Sequence, residues 1–212
     1  TEMDGRLELA SKPRRRLVNL TREYERYSSE IDSISREFGV RWVSMGWQPF
    51  AKNSEIRYAP KPRGQIMRRY FAAKHEGDAQ LKKTNSVHVN FGYHSEADAI
   101  MKMQTLFAVA PVLSAMFANS PLNCGRFTGN MGNRLRVGQN FEPERNRVRE
   151  AFFAEDFSFE SWIDYVCSLP MIYIERDGRQ ILLQGKTFTE FIRNGHDGYR
   201  ARVKDFSLHL KS

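Results

Sequence analysis

Cysteine is scarce in this chain: among 212 residues only Cys124 and Cys167 are present. Their separation fits no metal-binding or redox spacing, so a zinc module is excluded and a reducing compartment is expected. A disulfide between the two stays open at this point. Long apolar runs are lacking as well: none approaches the length of a membrane span. The N-terminus has neither an initiator methionine nor the basic-then-apolar pattern of a signal peptide. The expectation is a cytoplasmic protein without a membrane partner. Acidic residues are the minority, 25 against 33 Lys plus Arg, for a net charge of +8. The basic residues are dispersed, however, and the run from Arg134 to Arg149 is interleaved with Glu142 and Glu144. No nucleic-acid-binding module accompanies them. Nucleic acid is therefore not an expected partner, whereas small anions such as carboxylates and phosphates are. Internal repeats and low-complexity segments are also absent.

Apolar residues are plentiful, at 41% hydrophobic and 12% aromatic, which is enough for a sizeable core. The stretch that organises the rest is TNSVHVNFGYHSEAD, Thr84 to Asp98. Val87, Val89, Phe91 and Tyr93 alternate with Ser86, His88, Asn90 and Gly92, as in a half-buried strand. Ser95 then reads as an N-cap, with Asp98 as its capping-box partner, before a long apolar helix over Ala97–Phe117 kinked at Pro111. Upstream, GRLELA (5–10) reads as a short strand with Glu8 on its polar side. Pro13 opens a helix whose stripe from Leu17 to Phe38 reads as core packing and which Gly39 ends. Val40–Trp47 reads as another strand, 48–62 as loop and Gly64–Lys74 as helix. The polar stretch 75–83 reads as mobile. Asn119–Gly138 is rich in Asn, Gly and Arg and shows little periodicity, and irregular stretches of that length are often functional. Within and beyond it, Arg134, Arg136 and Arg145 can each form a bidentate pair with a carboxylate or phosphate. Further helices are expected over Phe157–Leu169, Thr187–Arg193 and from Asp205 onward, with a hairpin turning at Asp177-Gly178.

These residues resemble the plant and proteobacterial type of glutamate–cysteine ligase, a family of carboxylate–amine ligases. The central stretch is similar to the family's T-x-x-V-Q-V-N strand, S-S-E-A-D helix start and L-F-A-N-S-P. Thr84, Val87, Val89, Asn90, Ser95 to Asp98 and Phe117 to Pro121 agree with it. Pro60, Lys61, Arg63, Ile66, Met67, Arg68 and Tyr70 resemble P-K-x-R-x-x-I-M-R-x-Y. Gly46, Gln48 and Pro49 resemble G-x-Q-P, Glu8-Leu9 resembles F-E-L-S, and FSFESWIDYVCSLPMIY is similar to F-G-F-E-x-Y-V-D-Y-x-x-x-x-P-M.

The resemblance implies an α+β fold: a curved, mainly antiparallel sheet with helices on its outer face, as in glutamine-synthetase-like ligases. Residues 1–212 would be one domain, the central part of the catalytic unit. The implied activity joins the glutamate γ-carboxylate to the cysteine amine through a γ-glutamyl phosphate. ATP is the co-substrate and Mg²⁺ the cofactor, and a homodimer is left open. Glu8 would be a Mg²⁺ ligand. His88 stands where the plant type has Gln and the enterobacterial type a histidine, and would serve the metal or the nucleotide phosphates. Asn90, Arg63, Met67 and Tyr70 would serve the substrate. Arg134 matches the Arg of S-M-R-S-x-I-W and would bind the glutamate carboxylate. Arg145 matches the Arg closing D-T-D-x-D-R, on the ATP side or in the scaffold.

Departures bear on this reading. Gly138 replaces the family's Trp, NFEPE replaces its acidic run, and Thr21 stands where the plant type has its regulatory cysteine, so that form of redox control should be missing. Two alternatives accompany the main reading: a related ligase with another amine acceptor, and a non-catalytic anion-binding module or incomplete fragment. The family's metal motifs at both ends have no counterpart here, and the 212-residue chain is expected to be inactive by itself.

Overall fold

A computed structural model describes residues 6–58, 62–72, 74, 76–183 and 185–210. Its first element, α1 (Leu17–Phe38), follows the three-and-four-residue stripe but starts four residues after Pro13, with extended Arg16 as an N-cap that makes no side-chain bond. Gly39 closes it in the left-handed region, its N–H bonding the Ser35 carbonyl. The stripe is not core. No α1 residue is buried, and Leu17, Tyr24, Ile34 and Phe38 are exposed. The expected strands over 5–10, Val40–Trp47 and Ser86–Tyr93 do not join a sheet either (Gly5 lies outside the described residues). One antiparallel bridge, Trp47 to Thr84, is their only pairing among the described residues. Alternation sets which side chains share a face, but a ladder also needs a neighbouring strand to take the backbone groups.

The core begins at α2 (Pro62–Ala72). Ile66, Met67, Tyr70 and Phe71 form its buried side, packed against Ile172 and Tyr173. Next, α3 (Gly77–Lys83) takes up most of the stretch read as mobile, and its last turn carries two buried lysines, Lys82 and Lys83 (His75 lies outside the described residues). The long helix α4 (Glu96–Met116) starts as expected, with Ser95 Oγ accepting from the Asp98 N–H at 3.2 Å. The reciprocal half of the box is shifted by one, since Asp98 Oδ2 accepts from the His94 N–H at 2.9 Å. Glu96 reaches across to accept from the Phe159 N–H at 2.7 Å. By length and composition α4 is long and apolar enough to cross a membrane, against the expectation that no run approaches that length. Its charges, Glu96, Asp98 and Lys102, all fall in the first two turns and leave an uncharged remainder.

A two-residue hairpin, β1 (Leu122–Asn123) with β2 (Arg126–Phe127), interrupts the irregular stretch. Then come α5 (Asn133–Phe141), α6 (Pro143–Asn146), a 3₁₀ turn (Glu150–Phe153) and α7 (Phe159–Ser168), which Ser158 caps. The antiparallel hairpin of β3 (Tyr173–Arg176) and β4 (Arg179–Leu182) turns where expected. Asp177 and Gly178 have φ of 48° and 73°, the all-positive pair of a type I′ turn, which glycine adopts without steric cost. Last come α8 (Phe188–Asn194) and α9 (Val203–Leu210). Phe188 and Phe191 pack with Met171, Ile174 and Leu183 into a second core cluster.

Helices with small antiparallel pairs agree with an α+β class. Among the described residues the two pairs stay separate, and no larger curved sheet forms. Both cysteines are free thiols.

Candidate active site around Arg134

Segments far apart in sequence meet at one node. The Gly46 N–H bonds the Asn119 carbonyl at 2.7 Å, and the Asn85 N–H bonds the Gly46 carbonyl at 3.1 Å. Asn119 Nδ2 returns a bond to the Ser44 carbonyl at 3.1 Å. A Cβ on Gly46 would lie 3.2 Å from the Asn119 oxygen, so this close approach of two backbones suits glycine. Ser120 Oγ accepts from the Arg134 N–H at 3.0 Å, fixing the first turn of α5. From there Arg134 extends so that Nη1 donates to the Asn85 carbonyl at 2.9 Å. The residues read as a turn, a strand start, an ANSP segment and an arginine are thus neighbours.

Arg134 is half-buried and, among the described residues, forms no ion pair. The other two candidate arginines are engaged. Arg136 pairs with Glu76 at 3.0 Å and also donates to Asn133 Oδ1. Arg145 donates to the Pro170 carbonyl at 2.6 Å and lies 3.5 Å from Glu142. A guanidinium held along one edge by a neutral carbonyl keeps its charge and further N–H donors for an anion.

Beneath the node lies a polar cluster that the sequence reading missed. Lys83, 1% exposed, donates from Nζ to Asn123 Oδ1 at 2.8 Å and lies 3.3 Å from Cys124 Sγ. Trp47, also buried, donates to the same Asn123 oxygen at 3.2 Å. Nothing in a lysine ending a short polar helix signals burial. Only the tryptophan and the Asn-rich turn hinted at a packed site.

Arg6 ties the N-terminal segment to this region through the carbonyls of Thr84 and, at 3.0 Å, Leu81. Two residues on, Glu8 is exposed, as are His88 and Asn90. Glu8 and His88 are the two proposed metal ligands. Among the described residues no group of three or more His, Cys, Asp or Glu is placed to hold a metal ion.

Met67 and Tyr70, expected to line an amino-acid pocket, are core residues here. Tyr70 donates to Glu142 at 2.6 Å, and Lys74 donates to the same oxygen at 2.6 Å while lying over the Tyr70 ring. Burial, followed by this bond to Glu142, pushes the Tyr70 hydroxyl pKa up. Burial works against the Lys74 charge, but its bonds to Glu142 and Tyr70 outweigh that and leave its pKa raised. The backbone of Arg63 lies in α2, and its side chain is outside the described residues.

A guanidinium with N–H donors left over can take a carboxylate or phosphate. The family model for glutamate-cysteine ligase family 2 (GCS2) matches residues 1–211, and the chain belongs to that family. The resemblance read from the motifs is borne out. Among curated proteins, the chain is 30% identical over 192 residues to a chloroplastic glutamate–cysteine ligase of Brassica juncea, covering 90% of this chain and 37% of that protein. It is 30% identical over 192 residues to glutamate–cysteine ligase A, chloroplastic, of Oryza sativa subsp. japonica, with 90% and 39% covered. With the Nicotiana tabacum ligase it shares 29% over 214 residues, 99% of this chain and 41% of the relative. The chain therefore spans about two fifths of the length of the relatives it matches.

Proposed function

We propose that this chain forms the glutamate-holding part of an ATP- and Mg²⁺-dependent ligase that makes γ-glutamylcysteine. Residues 1–212 are then the central portion of its catalytic domain, within a curved-sheet ligase fold. In the reaction the glutamate γ-carboxylate takes the γ-phosphoryl group of ATP with release of ADP. The cysteine amine then attacks the acyl phosphate carbon, and phosphate leaves as the amide bond forms. Both steps gather negative charge, so catalysis rests on positioning and electrostatic stabilisation.

Arg134 is the residue of this chain suited to that task. Its fork, braced by Asn85 and set by Ser120, binds a glutamate carboxylate and holds the amino acid in register. His88 and Asn90, two and four residues beyond Ser86 on the same polar parity, serve phosphate or substrate. Bound Mg²⁺ would neutralise phosphate charge, with Glu8 as one hard oxygen donor. The described residues do not complete such a site.

The observation that carries this reading is the half-buried, carbonyl-braced Arg134 at the meeting point of the family motifs. Titration calorimetry with glutamate and Mg·ATP tests it. Arg134→Ala should weaken glutamate binding by about 1.5–3 kcal/mol, or roughly 10–150-fold. Arg134→Lys should recover only part of that, because an ammonium lacks the planar fork. Equal glutamate binding by the parent chain and Arg134→Ala removes the assignment.

A further inference from the structure

Cys124 and Gly125 make the turn of the β1–β2 hairpin, with φ of 52° and 75°. Two consecutive positive φ values suit glycine, asparagine or aspartate, and a cysteine at the first of them is uncommon. Free cysteines are mostly buried, but Cys124 is exposed. Its sulfur nevertheless has a buried neighbour. Lys83 Nζ lies 3.3 Å away, closer than Asn123 Oδ1 at 3.7 Å or the Ala51 carbonyl at 3.9 Å. Among the described residues the partners of this interior ammonium are Asn123 Oδ1 and the sulfur, with no carboxylate. A buried ammonium is ordinarily paired with an anion. Both ends of the contact are anchored. The Lys83 carbonyl accepts from the Gln48 N–H at 2.7 Å, the Gly125 N–H donates to the Pro49 carbonyl at 2.9 Å, and Trp47 holds Asn123. Amine and thiol are thus set face to face by three separate segments, with the sulfur open to solvent. Reactive cysteines are those that face a cation and stay accessible. Cys167 is the contrast: it is half-buried, and burial, followed by the charge of Asp164, pushes its thiol pKa up.

We propose that Lys83 and Cys124 form a peroxide-responsive modification site, in which oxidation of the thiol closes a covalent S–N bond between the two side chains. In the first step the sulfur attacks a peroxide oxygen. With hydrogen peroxide the O–O bond breaks, the Cys124 thiol becomes a sulfenic acid and one water leaves. The sulfur gives up two electrons and the peroxide takes them. In the second step the Lys83 amine, having released one proton to solvent, attacks the sulfenic sulfur. The S–O bond breaks as the S–N bond forms, and the departing hydroxide takes a second amine proton to leave as water. One proton stays on nitrogen. Sulfenic acids condense in this way with a nearby thiol or backbone nitrogen, and the group placed on this sulfur is an amine. The bond shields the sulfur from the sulfinic stage, which is irreversible in most proteins. One equivalent of a dithiol opens it, restoring amine and thiol and leaving the dithiol as its cyclic disulfide. The link joins the end of α3 to the hairpin turn, just before Thr84 and Asn85, whose carbonyls hold Arg6 and Arg134.

Mass spectrometry of the chain after treatment with hydrogen peroxide tests the proposal. The expected product is about 2 Da lighter than the parent, resists trypsin after Lys83 and yields a peptide joining Lys83 to Cys124. Dithiothreitol should restore both the mass and the cleavage. Cys167→Ser should react as the parent does. Cys124→Ser, a substitution at an exposed turn, should never form the link. Unfolding the chain in urea before the peroxide is added should lower the yield at least about tenfold, because the reaction depends on the placement of the amine. Four results overturn the proposal: no reaction at Cys124, any product at Cys124 that leaves cleavage after Lys83 intact, a loss of about 2 Da that Cys167→Ser abolishes, or equal linking in the folded and the urea-unfolded chain. The third would mean a disulfide between the two cysteines, and the fourth a link that owes nothing to the fold.

Discussion

His209 shows how far a single side chain can depart from its sequence surroundings. Isolated histidines in polar stretches are mostly surface residues, yet this one is 2% exposed. Its Nε2 donates to the Val166 carbonyl at 2.7 Å, and its ring stacks on Phe188. Burial, together with the nearby charge of Arg145, lowers its pKa despite the opposing bond to Val166. The sign follows directly. Above the unfolded value of roughly 6.5, His209 is neutral in both states and its contribution is complete. As pH falls below that, the unfolded chain gains a proton the folded chain resists, and stability declines until the folded pKa is passed. His209→Gln keeps a donor for Val166 but does not titrate. The melting temperature of the parent chain should therefore drop more between pH 7 and pH 5.5 than that of the variant. Parallel curves would mean that His209 is not the group responsible.

At the scale of elements, local chemistry was legible wherever it closed on itself. The Asp177-Gly178 turn, the Ser95 cap and the α8 start were all readable because donor and acceptor lie within a few residues. At α8 the Thr187 hydroxyl accepts from the Glu190 N–H at 3.1 Å, and Glu190 accepts from the Thr187 N–H at 2.7 Å. That second bond, followed by one from the Thr187 hydroxyl, holds the Glu190 carboxyl below its usual range. Thr187→Ala should cost about 1 kcal/mol in urea unfolding with an unchanged m-value, since both bonds of the hydroxyl to Glu190 are lost while the core Phe188 and Phe191 stay in place. A loss within error would show that α8 is held by those two rings alone. Elements that depend on distant partners were less legible. The half-buried strand expected over 86–93 is neither laddered nor buried on either face, because an alternating pattern carries no information on whether a neighbour is at hand. Lys83 was misread for a related reason: its burial is set by Trp47 and Asn123, some 40 residues away on either side. The site was legible as a set of motifs. Its geometry was not, because Gly46, Asn85, Asn119 and Arg134 are joined through backbone carbonyls, which every residue type possesses.

For the molecule as a whole, two independent features bear on whether these 212 residues act alone. The node around Arg134 is braced by Ser120 and the Asn85 carbonyl, and the carboxylate contact proposed above rests on it. Phosphoryl transfer demands more: hard oxygen donors for the metal that accompanies ATP, and exclusion of water from the acyl phosphate. Glu8 and His88 are exposed, and among the described residues no group of three or more His, Cys, Asp or Glu is placed to hold a metal ion. Binding and turnover should therefore separate. With glutamate, cysteine and Mg·ATP present, the chain by itself should bind glutamate in an Arg134-dependent way. It should release no phosphate above the rate of the same mixture without protein. A phosphate-release assay at micromolar enzyme detects turnover far below the 1–10³ s⁻¹ typical of enzymes. Release in that range, lost in Arg134→Ala, would show that the chain completes its own metal site.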